Sequence, residues 1–141
     1  ALAAHFEYVP PPIVADWLAT QERLTREELD AVTVQSHQRA GRAWAEGRYA
    51  NSVVPVVRPD GTRVDRDETV RPALTATDLG RFGPAFAQLG AMGPDAFVLK
   101  SAPALGRVEH LHCVAHCPPI ADGAALALLG TRERGRELGL P

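Results

Sequence analysis

The sequence RVEHLHCVAHCPPIADGAALALLG, residues 107–130, decides how the rest of this chain is interpreted. Within eight residues it holds three of the five histidines and both cysteines of the chain, namely His110, His112, Cys113, His116 and Cys117. Apolar and polar residues alternate roughly from Val108 to Cys117, a period that predicts a strand rather than a helix. The apolar run 124–129 is predicted to be a buried strand, although periodicity alone also allows a buried helix.

The cluster of histidines and cysteines allows two kinds of chemistry. Because imidazole nitrogen and thiolate sulfur are preferred ligands of zinc and copper, one hypothesis is a metal site formed by His110, His112, Cys113, His116 and Cys117. The cluster lacks the paired Cys-x-x-Cys spacing of structural zinc sites, and only His5 and His37 remain as further histidine ligands. A cysteine nucleophile activated by a neighbouring imidazolium is a second option, with Glu109 as its nearby carboxylate.

Composition and charge narrow the classes of function. At 141 residues, 45% of them apolar, the chain is long enough for one globular domain with a core. Fifteen basic and seventeen acidic residues give a net charge of −2 without a long basic run, so neither nucleic acid nor a membrane is an expected partner.

Cysteine usage and apolar runs predict the compartment. Two cysteines four positions apart form no disulfide framework, so a reducing cytoplasm is the expected location. No secretory signal pattern and no apolar run of membrane-spanning length occurs, so we expect neither export nor membrane insertion. The chain begins with Ala1 rather than Met, which is consistent with an excerpt of a longer polypeptide.

Two helices are predicted in the first third of the chain. Residues 13–23 carry apolar side chains at three- and four-residue spacing, which predicts a short helix with Trp17 in the core. Thr25 and Glu28 have capping-box spacing, and the helix that they start is predicted to run to Glu46 and to be closed by Gly47. Its buried stripe is expected to consist of Leu29, Val32, Ser36, Ala40 and Ala43.

The remaining elements are predicted to be short. Residues 52–57, which contain Pro55, and residues 62–65 flank a Pro-Asp-Gly turn, a pattern typical of an exposed hairpin. A short helix is expected to start at Thr75, and residues 88–105 are expected to form a loop-rich insertion with at most one strand. Thr131 is expected to cap a charged surface helix over residues 132–137.

Several segments, taken in order, resemble the middle of a thiolase. They are TREELD at 25–30, SHQRA at 36–40, DETVRP at 67–72, GPAF at 83–86, DGAA at 122–125 and RELG at 136–139. The resemblance extends over nearly the whole chain and is to acetyl-CoA acetyltransferase-like members. It implies an α/β segment in which residues 1–107 form a loop domain with an insertion at 88–105. Residues 108–141 would then be the last strand and helix of the thiolase N-terminal half.

The resemblance also implies residues that contact coenzyme A. Arg71 falls where the family uses an arginine near the nucleotide phosphates, with a salt bridge to Asp67 or Glu68 as the structural alternative. Ala85 and Phe86 fall where the family packs against pantetheine, with a core aromatic as the alternative for Phe86. His116 and Pro118 stand where the family places an Asn and a ligand-contacting Ser.

No catalytic residue is expected within this chain. Thiolases transfer acyl groups between coenzyme A and a carbon or thiol nucleophile through an acyl-cysteine, and their nucleophile and activating His/Cys lie outside the matching region. The resemblance thus implies a segment that binds coenzyme A or acyl-CoA as substrate, holds no tightly bound cofactor and is inactive alone. It also implies a homo-oligomer or a partner thiolase-like subunit. A non-catalytic module for coenzyme A or subunit binding and the metal-binding protein remain as alternatives.

Overall fold

The computed structural model describes residues 8–121 and 123–140. Six α-helices lie in this part of the chain: α1 Pro11–Glu22, α2 Arg26–Ala45, α3 Ala76–Leu79, α4 Ala87–Ala91, α5 Pro94–Ser101 and α6 Arg132–Glu137. Two strands, β1 Val56–Val57 and β2 Arg63–Val64, and 3₁₀ turns at Pro103–Leu105 and Val114–His116 complete the described elements. The predicted α/β class, helices with a small hairpin, is confirmed.

Helix α1 begins within the proline run rather than after it. Pro11 and Pro12 occupy the first turn, where a helix needs no backbone N–H donor and a fixed φ near −65° is already helical. The predicted start at Ile13 was therefore two residues late, and Ile13 itself is fully buried. The helix ends at Glu22, and Arg23 after it has a left-handed φ of 55° that turns the chain towards α2. Trp17, predicted to lie in the core, is half-buried.

Helix α2 starts as predicted, but only part of its predicted stripe is buried. Thr25 accepts from the backbone N–H of Glu28 while the Glu28 carboxylate accepts from that of Thr25, so the capping box is formed. The predicted stripe is formed only in part. Leu29, Ala40 and Ala43 are half-buried, but Ser36 is exposed and Val32 is 68% exposed. The fully buried positions are Asp30 and Gly41. A methyl group added at Gly41 would lie only 2.5 Å from Pro72 Cγ, so the glycine permits this close approach.

The hairpin matches its prediction in type and is shorter. Strands β1 and β2 pair antiparallel, with Val56 opposite Val64 and Val57 opposite Arg63. Gly61 has a φ of +84° in the connecting turn, a conformation that glycine adopts without steric cost. The hairpin is exposed, apart from half-buried Val64, as expected of an edge element.

Residues 88–105 are helical, which corrects the predicted loop-rich insertion with a strand. Gly93, with a φ of +132°, ends the turn after α4, and Pro94 takes the first position of α5. Here glycine and proline separate two helices and do not start a long loop. Helix α5 places Val98 in the core, with Ile13, Ala19, Leu79, Val108 and Cys113.

The predicted strand over residues 108–117 is not formed within the described residues. The chain has no ladder partner at 108–113 and then enters the 3₁₀ turn Val114–His116. Its backbone donors bind side chains of α1 instead. Thr20 Oγ1 accepts from Glu109 N–H at 2.8 Å. Asp16 Oδ1 accepts from the N–H groups of Leu111 and His112.

The apolar run 124–129 is not the buried strand that the sequence predicted. It has no secondary structure, and Leu126 and Leu129 are 97% and 92% exposed. A strand needs a neighbouring strand for its hydrogen bonds, and the described residues supply none at this place. Asp122, part of the Asp-Gly pair, lies outside the described residues. Helix α6 forms behind the Thr131 cap, as predicted.

Candidate acyl-CoA-binding cleft

Asp16 is the polar centre that fixes the segment 110–112. This carboxylate is completely buried, at 0% exposure, on the inner face of α1. Its Oδ1 accepts from the backbone N–H groups of Leu111 and His112, each at 3.0 Å, and lies 2.7 Å from His112 Nδ1. Its Oδ2 lies 2.9 Å from His110 Nδ1. Four donors from one short segment thus replace the water that burial removes.

These hydrogen bonds keep Asp16 ionised. Burial raises the pKa of the Asp16 carboxyl, but the bonds from His112, His110 and Leu111 outweigh it, so the pKa lies below its ordinary value of 3.8. An ionised carboxylate only accepts hydrogen bonds. His112 Nδ1 and His110 Nδ1 must therefore both carry a proton.

His110 joins α1 to α5. Its Nε2 lies 3.0 Å from Asp95 Oδ2, so the ring stands between two carboxylates. Burial lowers the pKa of His110, but the bonds with Asp16 and Asp95 outweigh it and raise the pKa above 6.5. The imidazolium form donates from both nitrogens, one to each carboxylate, while Asp95 Oδ1 is buried without a partner among the described residues. Gly90 leaves room for this arrangement, because a side-chain carbon there would collide with the Asp95 carboxylate.

A second carboxylate, Asp30 on α2, holds His116. Asp30 Oδ1 accepts from Arg26 Nε at 2.8 Å and lies 2.6 Å from His116 Nε2. Burial raises the pKa of Asp30, but Arg26 and His116 together lower it below 3.8. His116 Nδ1 accepts from Cys113 N–H at 3.2 Å, so the nitrogen that donates to Asp30 is Nε2.

Arg26 links Asp30 to the loop after α3 and to the buried cysteine. Its terminal nitrogens donate to the carbonyl oxygens of Phe82 and Leu79, each at 2.9 Å. One of them also lies 3.4 Å from Cys113 Sγ. One guanidinium therefore satisfies three separate groups that are distant in sequence.

A cleft of about 590 Å³ opens beside these anchored histidines. Its walls come from the start of α1, from Phe86 and from the segment 112–118, and the lining residues are Pro11, Pro12, Ala15, Phe86, His112, Val114, His116, Cys117 and Pro118. The backbone N–H of Ala85 donates to the carbonyl of His112 at 3.0 Å, which attaches the Phe86 wall to the histidine wall. The cleft therefore has a mostly apolar lining with two imidazoles, and its volume lies in the range of small-molecule sites.

Comparison with known proteins identifies the family. Residues 1–96 match the family model described as thiolase, N-terminal domain. The chain belongs to the thiolase family. It is 34% identical over 127 residues to the 3-ketoacyl-CoA thiolases of Salmonella heidelberg (strain SL476) and Salmonella typhi, and 32% identical to that of Escherichia fergusonii. Each alignment covers 89% of this chain and 25% of the relative. This thiolase chain therefore spans about a quarter of the length of the curated relatives that it matches.

The structure brings three of the five predicted coenzyme A residues of this thiolase chain into one cleft. Phe86, His116 and Pro118 all line it. Ala85 lies next to it, where its backbone N–H contacts the segment 112–118.

Arg71 does not line the cleft, and its backbone N–H donates to His37 Nδ1 at 3.2 Å. Its side chain forms no ion pair with Asp67 or Glu68, the structural alternative considered for it. A role for Arg71 in binding phosphate stays a prediction.

The metal hypothesis finds no support in the geometry of the thiolase chain. Across residues 8–121 and 123–140, no group of three or more His, Cys, Asp and Glu side chains is arranged to hold an ion. Both ring nitrogens of His110 and of His116 are engaged in hydrogen bonds. Cys113 is completely buried, and the Cys117 thiol is directed to the Cys113 carbonyl at 3.7 Å.

Sequence reasoning missed the anchors of the site. The sequence pattern placed Asp16 only in the first predicted helix, and Arg26 and Asp30 only near the capped start of the second. One signal was available, because an aspartate in the middle of an apolar helical stripe implies a buried carboxylate that needs donors. Pro11 and Pro12 form part of the cleft wall.

Proposed function

We propose that this chain is the coenzyme A-facing loop-domain segment of a thiolase-type acyl-CoA C-acyltransferase, and that it binds coenzyme A thioesters in the cleft beside Phe86. Family membership supports the reaction class, and the relatives are named 3-ketoacyl-CoA thiolases. The observation that carries the proposal is the convergence of Phe86, His116 and Pro118 in one cleft. These residues were selected by their positions in sequence, independently of any cavity.

The lining fits the chain-like part of such a ligand. Proline rings, Phe86 and Val114 offer apolar surface, and each Å² of apolar surface that leaves water stabilises a complex by roughly 25 cal/mol. No Lys or Arg belongs to the lining, so the nucleotide phosphates would lie outside it. The proposal therefore puts the pantetheine and acyl portion in the cleft.

We infer that the segment alone does not turn over its ligand. A thiolase nucleophile attacks as a thiolate, which requires an accessible cysteine with a lowered pKa. Burial raises the pKa of the Cys117 thiol, and Cys113 has no exposed surface. The acyl-cysteine step is thus assigned to groups elsewhere in a complete enzyme, and this chain to ligand binding.

Calorimetric titration with coenzyme A and acetoacetyl-CoA tests the binding proposal. We expect saturable binding by the 141-residue chain and a loss of about tenfold in affinity for Phe86→Ala, equivalent to about 1.4 kcal/mol. Phe82→Ala is the matched control, since Phe82 is exposed and outside the cleft, and its carbonyl bond to Arg26 is kept. Absence of binding, or equal losses for both variants, would contradict the proposal.

A subunit-binding role has its own supporting observation. Leu126, Leu128 and Leu129 are all largely exposed, and an apolar surface of this kind marks a contact with further protein. We propose that this surface packs against a second copy of the chain. Light scattering of the 141-residue chain should then give a mass above its 15.1 kDa, and Leu126→Asp with Leu129→Asp should restore the monomer mass.

A further inference from the structure

His112 is held differently from the two other histidines of its segment. Its Nδ1 must donate to Asp16, because that carboxylate is ionised and accepts only. In the neutral ring this leaves Nε2 without a proton, as a hydrogen-bond acceptor. The structure records no protein partner for His112 Nε2 among the described residues, and this atom is not one of their buried, unpartnered polar atoms.

The neighbouring rings provide the contrast. His110 uses both nitrogens on Asp16 and Asp95, and His116 uses both on Cys113 N–H and Asp30. His116 also has a side chain that is only 3% exposed, compared with 15% for His112. Of these three rings, His112 alone combines a place in the cleft wall with an uncommitted nitrogen.

We infer that His112 Nε2 is the polar contact of the cleft and accepts a hydrogen bond from an N–H or O–H group of the bound thioester. Asp16 is a positioning residue, because it fixes the tautomer and the orientation of the ring through two bonds to the same residue. This inference rests on the proposed function, and it adds the atom that selects a ligand with a donor. A ligand without that donor would leave Nε2 without a partner, so its affinity should be about tenfold lower.

Chemical modification tests the state of His112 without any coenzyme A. Diethyl pyrocarbonate reacts with an unprotonated imidazole nitrogen, which takes up a carbethoxy group while carbon dioxide and ethanol leave. Mass spectrometry of the 141-residue chain near neutral pH should find His112 modified at least tenfold faster than His110 or His116. Equal rates at the three histidines, or an unreactive His112, would overturn the inference.

Binding variants test the contact itself. His112→Phe keeps a flat ring and removes both nitrogens, and we expect acetoacetyl-CoA affinity to fall at least tenfold. His112→Gln, whose side-chain carbonyl still accepts, should recover part of this loss. Phe82→Ala is the control, because Phe82 lies outside the cleft lining and its carbonyl bond to Arg26 is kept, so affinity should be unchanged.

The outcomes separate this inference from the proposed function. If the wild-type chain binds and His112→Phe binds equally well, the inference is wrong while the proposed function stands. If the wild-type chain does not bind a coenzyme A thioester, the proposed function is wrong, and the modification rates then decide whether Nε2 is presented as an acceptor. Asp16→Asn should reduce the selectivity of modification, since an amide can also donate and no longer fixes the tautomer.

Discussion

Asp16 and Asp30 are both carboxylates buried between a helix and the segment 110–116, but they are stabilised by different partners. Asp30 is neutralised by Arg26, a cation at every accessible pH, and His116 adds a second bond. Asp16 has no such cation and relies on backbone N–H groups, His112 and the titratable His110. The α1 anchor therefore depends on pH and on local geometry, whereas the α2 anchor depends mainly on one guanidinium.

The largest effect is expected from Asp16→Ala. Four donors lose their acceptor at a site with 0% exposure, and a buried network broken on one side typically costs about 3–5 kcal/mol. Urea unfolding at pH 6 should show a loss of that size in the free energy of unfolding. Asp65→Ala, which removes an exposed carboxylate paired with Arg63, should cost less than about 0.5 kcal/mol. Similar losses of unfolding free energy for both variants would mean that Asp16 is not the main polar anchor of the segment 110–112.

Asp30→Ala should destabilise the folded chain less than Asp16→Ala does. Arg26 would keep its two carbonyl acceptors, and His116 would keep its bond to Cys113 N–H, so only the salt bridge and one imidazole bond are lost. We expect a loss of about 2 kcal/mol, measured by the same urea unfolding. A loss greater than that of Asp16→Ala would reverse the proposed order of the two anchors.

Arg26→Lys separates the charge of Arg26 from the shape of its guanidinium. Arg26→Lys keeps the positive charge but cannot reach Asp30, Leu79 and Phe82 with one planar fork, and it should lose most of the same stability. Full stability in this variant would mean that charge alone, and not the shape of the guanidinium, holds α2 in place.

The elements that sequence predicted well are those defined by neighbouring residues. Thr25 with Glu28 and Thr131 before α6 place their helix starts through contacts three residues apart, so the local pattern contains the information. The hairpin around Gly61 is predictable for the same reason. The thiolase resemblance depended on order along the chain, and the family match confirmed it.

The parts that failed depend on residues far apart in sequence. His112 and Asp16 are 96 positions apart, and no periodicity within either segment indicates their contact. The segment 108–117 alternates like a strand, but its donors meet side chains instead of a ladder. The run 124–129 is apolar enough for a buried strand, yet burial requires a neighbour that the described residues do not supply.

His110→Gln tests the pH dependence that distinguishes the Asp16 anchor. Because the folded pKa of His110 is raised above 6.5, its contribution to stability is complete below about pH 6.5 and is lost as the pH rises through the folded pKa. The lowered pKa of Asp16 acts oppositely, since its contribution is present above about pH 4 and is lost as the pH falls further. The wild-type free energy of unfolding should therefore decrease from pH 6 to pH 9, by about 1 kcal/mol from this residue.

In His110→Gln that alkaline decrease should be reduced, because glutamine does not titrate, although its one amide nitrogen replaces the bond to only one of the two carboxylates. The groups that face His110 are these two carboxylates, so the remaining pH dependence should come from groups outside this contact. The control is His37→Gln. The His37 ring accepts a bond from Arg71 N–H and contacts neither carboxylate, so this variant should keep the wild-type decrease of unfolding free energy with pH. If His110→Gln also keeps that slope, the imidazolium is not what stabilises Asp16, and the backbone N–H groups together with His112 must suffice.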